Sequence, residues 1–392
     1  MPWQEMSPMD QRVLFISDYL RGTETSFASL CRRYGVSRKT GYKWVARYKE
    51  NGVNGLEDGS RRPNTHPHTI PYPVKQAIIE LRTKGRIRLG PKKIQTKLAE
   101  RFPNQTPPSI TSIHNILKRA GLINTRRKRS CVEPYPDPFQ AVTAPNQLWS
   151  VDFKGQFKVG SGHWCYPLTV MDHQSRYLLD CRGLKGTSTP ESQRAFERIF
   201  REYGLPERIR SDNGVPFATR ATGGLSRLSI WWIKLGILPE RIQPGKPQQN
   251  GQHERMHRTL KQAVTHPVSK TLSAQQRQLN AFREEYNEYR PHEALNQEIP
   301  SKHYTPSLKR YPDRLPEPAY PDYFMVKKVR DSGIVYWNNG QVYVSHLLNG
   351  EWIGMEEVCD GKWDLYFGPV RIGSFDQQQK RGKGTAYWSV KV

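Results

Sequence analysis

Trp149-Ser150-Val151-Asp152-Phe153 decides the reading of this chain, together with Ser211-Asp212-Asn213-Gly214 and Gln249-Asn250-Gly251-Gln252-His253-Glu254-Arg255. The first stretch belongs to a strand pattern over 148–157. The second ends a short strand over 207–212, with Asn-Gly following as a tight turn. The third lies in a helix predicted over 248–266. Asp152 and Asp212 therefore stand at strand ends and Glu254 on a helix. Three carboxylates so disposed suit two hard divalent cations, since Mg2+ keeps its waters and takes few protein carboxylates. Without metal the three would repel one another and raise at least one pKa. Paired ions of this kind drive in-line displacement at a phosphodiester.

The 392 residues carry a formal charge of +25, and residues 1–130 hold 26 Lys and Arg against 9 Asp and Glu. A surface so basic concentrates polyanions and releases counterions on binding phosphates, which makes DNA the expected partner. The length suits two to four domains, each able to bury a core. The five cysteines, Cys31, Cys131, Cys165, Cys181 and Cys359, are scattered without a CxxC pair. That pattern argues against a disulfide framework or a zinc knuckle and fits a reducing cytoplasm. With no long apolar span, and no charged-then-apolar leader at Met1-Pro2-Trp3-Gln4-Glu5, neither membrane insertion nor export is expected.

Residues 1–58 read as a helix-turn-helix domain. Val13, Leu14, Ile16 and Leu20 mark a first helix over 10–20. A second ends at Gly35, and Ser37 caps a third whose first turn carries Arg38, Lys39 and Thr40. With Tyr42, Lys43 and Arg47 these are candidate DNA contacts. Residues 59–71 are polar and rich in Gly and Pro, a linker; His66 and His68 within it have no matching metal ligands nearby. Residues 72–125 repeat the architecture as a second, winged-helix-like module. One of its helices opens on Pro91 and brings Lys92 and Lys93. Another, over 109–117, presents Thr111, Ser112, His114, Asn115 and Lys118 as a candidate recognition face. Two modules on a flexible tether engage a longer site than either alone. A basic linker over 126–139 comes next, with Arg126 and Arg127 as phosphate contacts.

Residues 140–310 give an α/β order: three antiparallel strands, a helix, a strand, then helices. Lys246 precedes the Glu254 helix. On that helix Glu254, His257, Arg258 and Lys261 follow at i, i+3, i+4 and i+7, a stripe suited to lying along DNA, with Met256 and Leu260 inward. His253 reads as a surface histidine, Asp172 as a turn-capping carboxylate, Tyr286 and Tyr289 as packing residues, and Arg290-Pro291-His292 as a helix-ending turn. Residues 318–392 are strand-rich, with Asn338-Asn339-Gly340 marking a hairpin. A small β-barrel is the simplest closure, for contact with DNA or protein. No Ser-His-Asp arrangement and no glycine-rich ATP loop is found.

Taken together, these residues resemble the DDE transposases of bacterial insertion sequences, in the retroviral-integrase superfamily. The resemblance covers nearly the whole chain. It is most specific at Ser211-Asp212-Asn213-Gly214, at Pro244-Gly245-Lys246-Pro247-Gln248-Gln249-Asn250-Gly251-Gln252-His253-Glu254-Arg255, and at Tyr286-Asn287-Glu288-Tyr289-Arg290-Pro291-His292-Glu293-Ala294-Leu295. It implies all-α helix-turn-helix N-terminal domains before an RNase H-like α/β catalytic core, with Asp152, Asp212 and Glu254 as catalytic metal ligands. It also implies Mg2+-dependent cleavage and strand transfer at the terminal inverted repeats of a mobile element, two ions per site with Mn2+ as a substitute, and a homo-oligomer on paired ends and target DNA. One departure stands out: 41 residues separate Asp212 from Glu254, more than is usual in the family. The surplus is assigned to the glycine-bearing loop over 219–226. Two other classes compete: a DNA-binding regulator that has lost catalysis, which the intact acidic trio disfavours, and a nuclease without strand transfer, which the duplicated site-reading modules disfavour.

Overall fold

The computed structural model describes residues 7–59, 69–123, 141–219, 221–243, 246–265, 267–338, 340–378 and 387–391. Most of the 59–71 linker, with His66 and His68, and the whole 126–139 linker, with Arg126 and Arg127, lie outside the described residues. The chain divides into two compact units, Met1–Thr69 and Ile70–Val392.

The first unit holds α1 (Pro8–Arg21), α2 (Phe27–Arg33) and α3 (Arg38–Asn51). Each begins on a serine whose side chain accepts a backbone N–H of the first turn: Ser7 from Asp10, Ser26 from Ser29, Ser37 from Thr40. Such caps satisfy amides the helix cannot. Phe15, Ile16, Leu30, Cys31, Trp44, Val45 and Leu56 form the core. Gly35 turns the chain between α2 and α3 at φ +66°, as the sequence implied. Gly41 serves packing instead: a Cβ there would come within 2.7 Å of the Cys31 sulfur, so glycine sets how closely α3 crosses α2.

The second unit opens with α4 (Tyr72–Thr83), α5 (Pro91–Arg101) and α6 (Ile110–Arg119). They close on Val74, Ile78, Leu89, Ile94, Leu98, Ile113 and Leu117. This three-helix module is seated on the α/β core. Ile87, in the loop between α4 and α5, is buried among Met171, Leu178, Leu260 and Phe282. The Glu285 carboxylate accepts the Arg86 and Ile87 amides at 3.1 and 2.9 Å.

The α/β core comprises β1 (Leu148–Phe153), β2 (Phe157–Lys158), β3 (Trp164–Asp172), β4 (Leu178–Leu184), α7 (Thr189–Tyr203), β5 (Arg208–Ser211), α8 (Arg227–Lys234), β6 (Leu238–Arg241), α9 (Gly251–Val264) and α10 (Leu272–Glu284). The strands lie in the order β4-β3-β1-β5-β6, with β2 beside β3. β3 runs antiparallel to β1 and β4, whereas β5 runs parallel to β1 and β6. This is an RNase H-like mixed sheet. One face packs Trp149, Val151, Leu168 and Val170 against Phe196 and Phe200 of α7 and Trp231 and Trp232 of α8. The other packs Met171, Leu178 and Cys181 against Met256 and Leu260 of α9 and Leu279 and Phe282 of α10. The helix predicted over 248–266 is a short 3-10 turn, Pro247–Asn250, followed by α9.

The tail holds β7 (Met325–Lys328), β8 (Ile334–Trp337), β9 (Gly340–Tyr343), β10 (Trp352–Cys359), β11 (Lys362–Phe367), β12 (Val370–Asp376) and β13 (Tyr387–Ser389). The expected hairpin joins β8 to β9. The expected barrel is corrected: two sheets form, β12-β11-β10-β7 and β13-β9-β8, linked among the described residues by the isolated bridges Arg330↔Ile334 and Ser374↔Lys391 rather than by one closed ladder. Helix α8 supplies the reason. Its Ile230 and Ile233, with Leu225 before it, complete the apolar interior built by Val335, Val342, Ile353, Met355, Leu365 and Phe367. The tail borrows core from its neighbour and has no need to close on itself. Burying two isoleucines stabilises that junction by roughly 3–6 kcal/mol. The loop over 221–226 runs along the same junction: Gly223, at φ +68°, faces Ile372 so closely that a Cβ would meet its Cα at 3.1 Å. Arg241 Nη2 donates to the Gly223 carbonyl at 2.9 Å. Among the described residues no helix is long and apolar enough to cross a membrane.

Glu285→Ala should unseat the three-helix module while leaving the sheet intact. Losing one exposed and one part-buried contact to a charged acceptor costs about 1–3 kcal/mol. Limited proteolysis should then cut the 84–90 loop several-fold faster, whereas unchanged cutting would mean that Ile87 and the lysine contacts of α5 hold the module without Glu285.

Candidate active site

The parallel pairing of β1 with β5 builds the site. Leu148 faces Arg208, Trp149 faces Ile209 and Ser150 faces Arg210. Continued by two residues, this register sets Asp152 beside Asp212, on strands about 4.8 Å apart. Alternation decides the face: Trp149 and Val151 enter the α7 side, so Ser150 and Asp152 point towards α9. Just past β5 the turn is pinned twice. Gly214 N–H donates to Asp212 Oδ1 at 3.1 Å, and Asn213 Nδ2 donates to the Ile242 carbonyl at 2.8 Å.

Two histidines hold α9 to the sheet. The Thr169 hydroxyl donates to the Asp152 carbonyl at 3.0 Å, and both His253 Nε2 and His257 Nε2 lie 2.7 Å from the same oxygen. A hydroxyl has one proton to give, so both imidazoles donate to it. His253 Nδ1, 2.9 Å from the Ser150 hydroxyl, is then an acceptor. His257 Nδ1 is left bare, 3.7 Å from Asp152 Oδ2. Burial keeps both rings neutral, pushing His253 down to about 3 and depressing His257 further with help from His253, so the contact with Asp152 is no ion pair. Glu254, between these anchors in sequence, stands exposed on the first turn of α9.

Arg210 adds a brace that the sequence expectations did not include. It is 1% exposed, contacts Glu240 of β6 through Nε, and donates through Nη1 to the Gln249 carbonyl at 3.2 Å. It thereby links the strand bearing Asp212 to the turn that launches α9. An arginine in a four-residue strand, between Ile209 and Ser211, was the available signal.

Burial, then Asp212, and more weakly Glu254 drive the Asp152 carboxyl up to about 7 against its ordinary 3.8. Among the described residues no three His, Cys, Asp or Glu side chains are gathered tightly enough to hold a metal ion as they stand. The donors still fit a hard cation: all three are carboxylates, and Asp152 feels both others.

Other expected site residues fall into three groups. Arg38, Lys39, Tyr42 and Lys43 are exposed on α3, with Thr40 and Arg47 half-buried; Thr111, His114, Asn115 and Lys118 are exposed on α6, with Ser112 half-buried in the cap; Arg258 and Lys261 are exposed on α9. Lys246 lies just before the 3-10 turn that leads into α9. Lys92 and Lys93 are engaged internally, with Glu293 and with the Pro291 carbonyl. His257 is corrected: at 6% exposure it belongs to the buried stripe His253, Met256, His257, Leu260 and Val264, not to the outward face. His253, expected at the surface, is wholly buried with it. Asp172 is a buried cap, accepting from the Asn146 and Ser175 amides and the Ser175 hydroxyl.

Family profiles described as an integrase core domain match residues 142–247 and 235–300; a helix-turn-helix domain profile matches 11–64 and a homeodomain-like profile 40–117. An uncharacterized protein of insertion element IS407 from Burkholderia multivorans is 32% identical over 192 residues, 48% of this chain and 67% of that protein. The chain belongs to the integrase-core family of insertion-element proteins. An IS476 protein from Xanthomonas euvesicatoria is 26% identical over 59% of this chain and 66% of its own length, so the chain spans about two thirds of both relatives. A solved HTLV-2 integrase catalytic core domain in complex with magnesium overlaps 41% of this chain and 98% of its own, at 16% identity and a TM-score of 0.32. As a member of the integrase-core family the chain is an enzyme of the transposase and integrase class, a polynucleotidyl transferase with DNA-binding helix-turn-helix domains.

The raised Asp152 carboxyl has a measurable sign. Between about pH 4 and about pH 7 the folded chain keeps a proton that the unfolded chain has released, so the metal-free fold loses stability as pH rises through that window and is level above it. In chelator, Asp152→Asn should therefore melt higher than the unaltered protein at pH 8, with the gap closing towards pH 4. Coincident melting curves at every pH would show that Asp152 carries no such burden.

Proposed function

We propose that the chain binds the terminal inverted repeats of its mobile element and catalyses Mg2+-dependent DNA cleavage and strand transfer there, with Asp152, Asp212 and Glu254 as the metal ligands. The observation supporting this most directly is the register that sets Asp152 beside Asp212 under a helix carrying Glu254. Bound divalent ions, Mg2+ or Mn2+, would activate the attacking hydroxyl and stabilise the leaving oxygen. The chain's own work is placement. Asp152 is fixed by the centre of the sheet, Asp212 by its pinned turn, and Glu254 by the two buried histidines. The Asn213-Gly214 turn lets a DNA backbone approach closely. The exposed faces of α3 and α6 read or hold the ends, and Arg258 and Lys261 face phosphate beside Glu254. Water attacks in cleavage and a 3′-hydroxyl in joining. Joining exchanges one phosphodiester for another, so no nucleotide hydrolysis is required. The ends are paired by a homo-oligomer, at least a dimer.

Labelled terminal DNA incubated with Mg2+ should give both nicked and joined strands. Asp152→Asn, Asp212→Asn and Glu254→Gln should each lower both products by about a thousandfold, with end binding retained. Nicked strands without joined ones would support a nuclease instead. Retained chemistry in the Asp152 or Glu254 variant would remove the proposed site.

Arg38→Ala and Lys43→Ala should weaken end binding and each lower the salt slope by about one if they touch phosphate. Affinity unchanged across salt would take α3 out of the interface.

A further inference from the structure

The Arg290-Pro291-His292 segment does more than end a helix. After α10 the backbone widens into a π turn over Glu285–Tyr289, and the chain leaves it in extended form at Arg290. This turn buries Tyr286, whose ring meets the His292 ring edge to face at 4.7 Å. Arg176, from the turn between β3 and β4, Arg255, from α9, and Arg290 all act on the Tyr286 hydroxyl, opposing the rise that burial imposes on it. Lys93 of α5 reaches the same place, its Nζ on the Pro291 carbonyl.

The carboxylates around this cluster make their hydrogen bonds elsewhere, although the charge of Glu285 still acts on Arg290 and that of Glu293 on Lys93. Asp172 spends both oxygens on Asn146 and Ser175. Glu285 spends both on the Arg86 and Ile87 amides. Glu293 pairs with Lys92. Among the described residues Arg290 Nε and His292 Nε2 are buried with no hydrogen-bond partner, a costly state for a charge-bearing group. Burial together with Arg290 pushes Lys93 down to about 8. Four cations drawn from four elements are what an anion-binding seat needs and what a packing cluster avoids.

We propose that Arg176, Arg255, Arg290 and Lys93, gathered around Tyr286, seat a backbone phosphate of the DNA that the catalytic carboxylates act on. Arg255 follows Glu254 directly, so the seat adjoins the acidic trio along α9. Arginines suit the task because their planar fork meets two phosphate oxygens at once. The seat also joins the second helical module, through Lys93, to the core. This rests on the reading that the chain handles DNA, but not on its chemistry.

The test uses the full chain in EDTA, so that binding is read without cleavage. Sulfate should raise the melting midpoint of the unaltered protein above that in chloride at equal ionic strength. An Arg176→Gln/Arg290→Gln double variant should lose that preference. Its binding to terminal DNA should show a salt slope lower by about one for each phosphate contact removed. Arg255→Gln, exposed and tolerant, should lower the slope even if the double variant does not fold. Glu254→Gln should leave the slope unchanged, which separates failure here from failure of the catalytic reading. No sulfate preference in the unaltered protein would overturn the seat. Sulfate preference with an unchanged slope in folded variants would overturn DNA as its occupant.

Discussion

The structure depends on one pairing, β1 beside β5 in parallel, with residues sixty apart in sequence facing each other. Parallel strands need a crossover long enough to return the chain to the same end of the sheet. Here β3, β4 and α7 fill that interval, so most of the core's first half exists between the two aspartates. A slip of one residue in the pairing would offset the two aspartates along the strands, and a slip in β1's own facing would turn Asp152 into the Trp149 side of the sheet. Trp149, Val151 and Ile209 guard against this because they bury completely on that side. The acidic pair is thus held by apolar residues that never touch it.

The third carboxylate is held differently. Glu254 belongs to a helix, and a helix can slide or roll. Thr169 prevents both by placing one hydroxyl where two imidazoles a turn apart meet it. The arrangement also explains why both rings stay neutral. Each must donate to an oxygen while burial removes the water that would solvate a second proton. Arg210 secures the other end of the joint, so both elements that deliver Asp212 and Glu254 are tied to each other as well as to the sheet.

The sequence displayed the parts that repeat local rules. Serine caps, the Gly35 turn and the Asn-Gly turn at 213–214 are each chemistry of neighbours, and the two motif aspartates sat where periodicity put strand ends. What stayed hidden was decided at long range. His253 and His257 look polar by residue type, yet they complete an apolar stripe once Met256, Leu260 and Val264 are counted with them. Lys92 and Lys93 carry no local sign of a partner within the chain, yet Glu293 and Pro291, some two hundred residues on, are brought against them. The tail's failure to close is likewise invisible locally, because the residues that fill its interior sit on α8.

A formal charge of +25 suggests at first that clustered carboxylates should be easy to ionise. Asp152 shows otherwise. Lys154 does lower its pKa, yet burial and Asp212 outweigh that cation. Distant surface charge is screened by solvent and salt, whereas desolvation and a neighbouring carboxylate act at full strength. The basic excess can therefore draw in a polyanion but cannot neutralise the acids at the centre of the sheet. That compensation has to come from a cation close at hand. At the proposed seat the problem is reversed, since Arg290 Nε is buried without a partner among the described residues. If both proposals hold, the sequence neighbours Glu254 and Arg255 would answer different parts of one ligand, the first its metal ions and the second its phosphate.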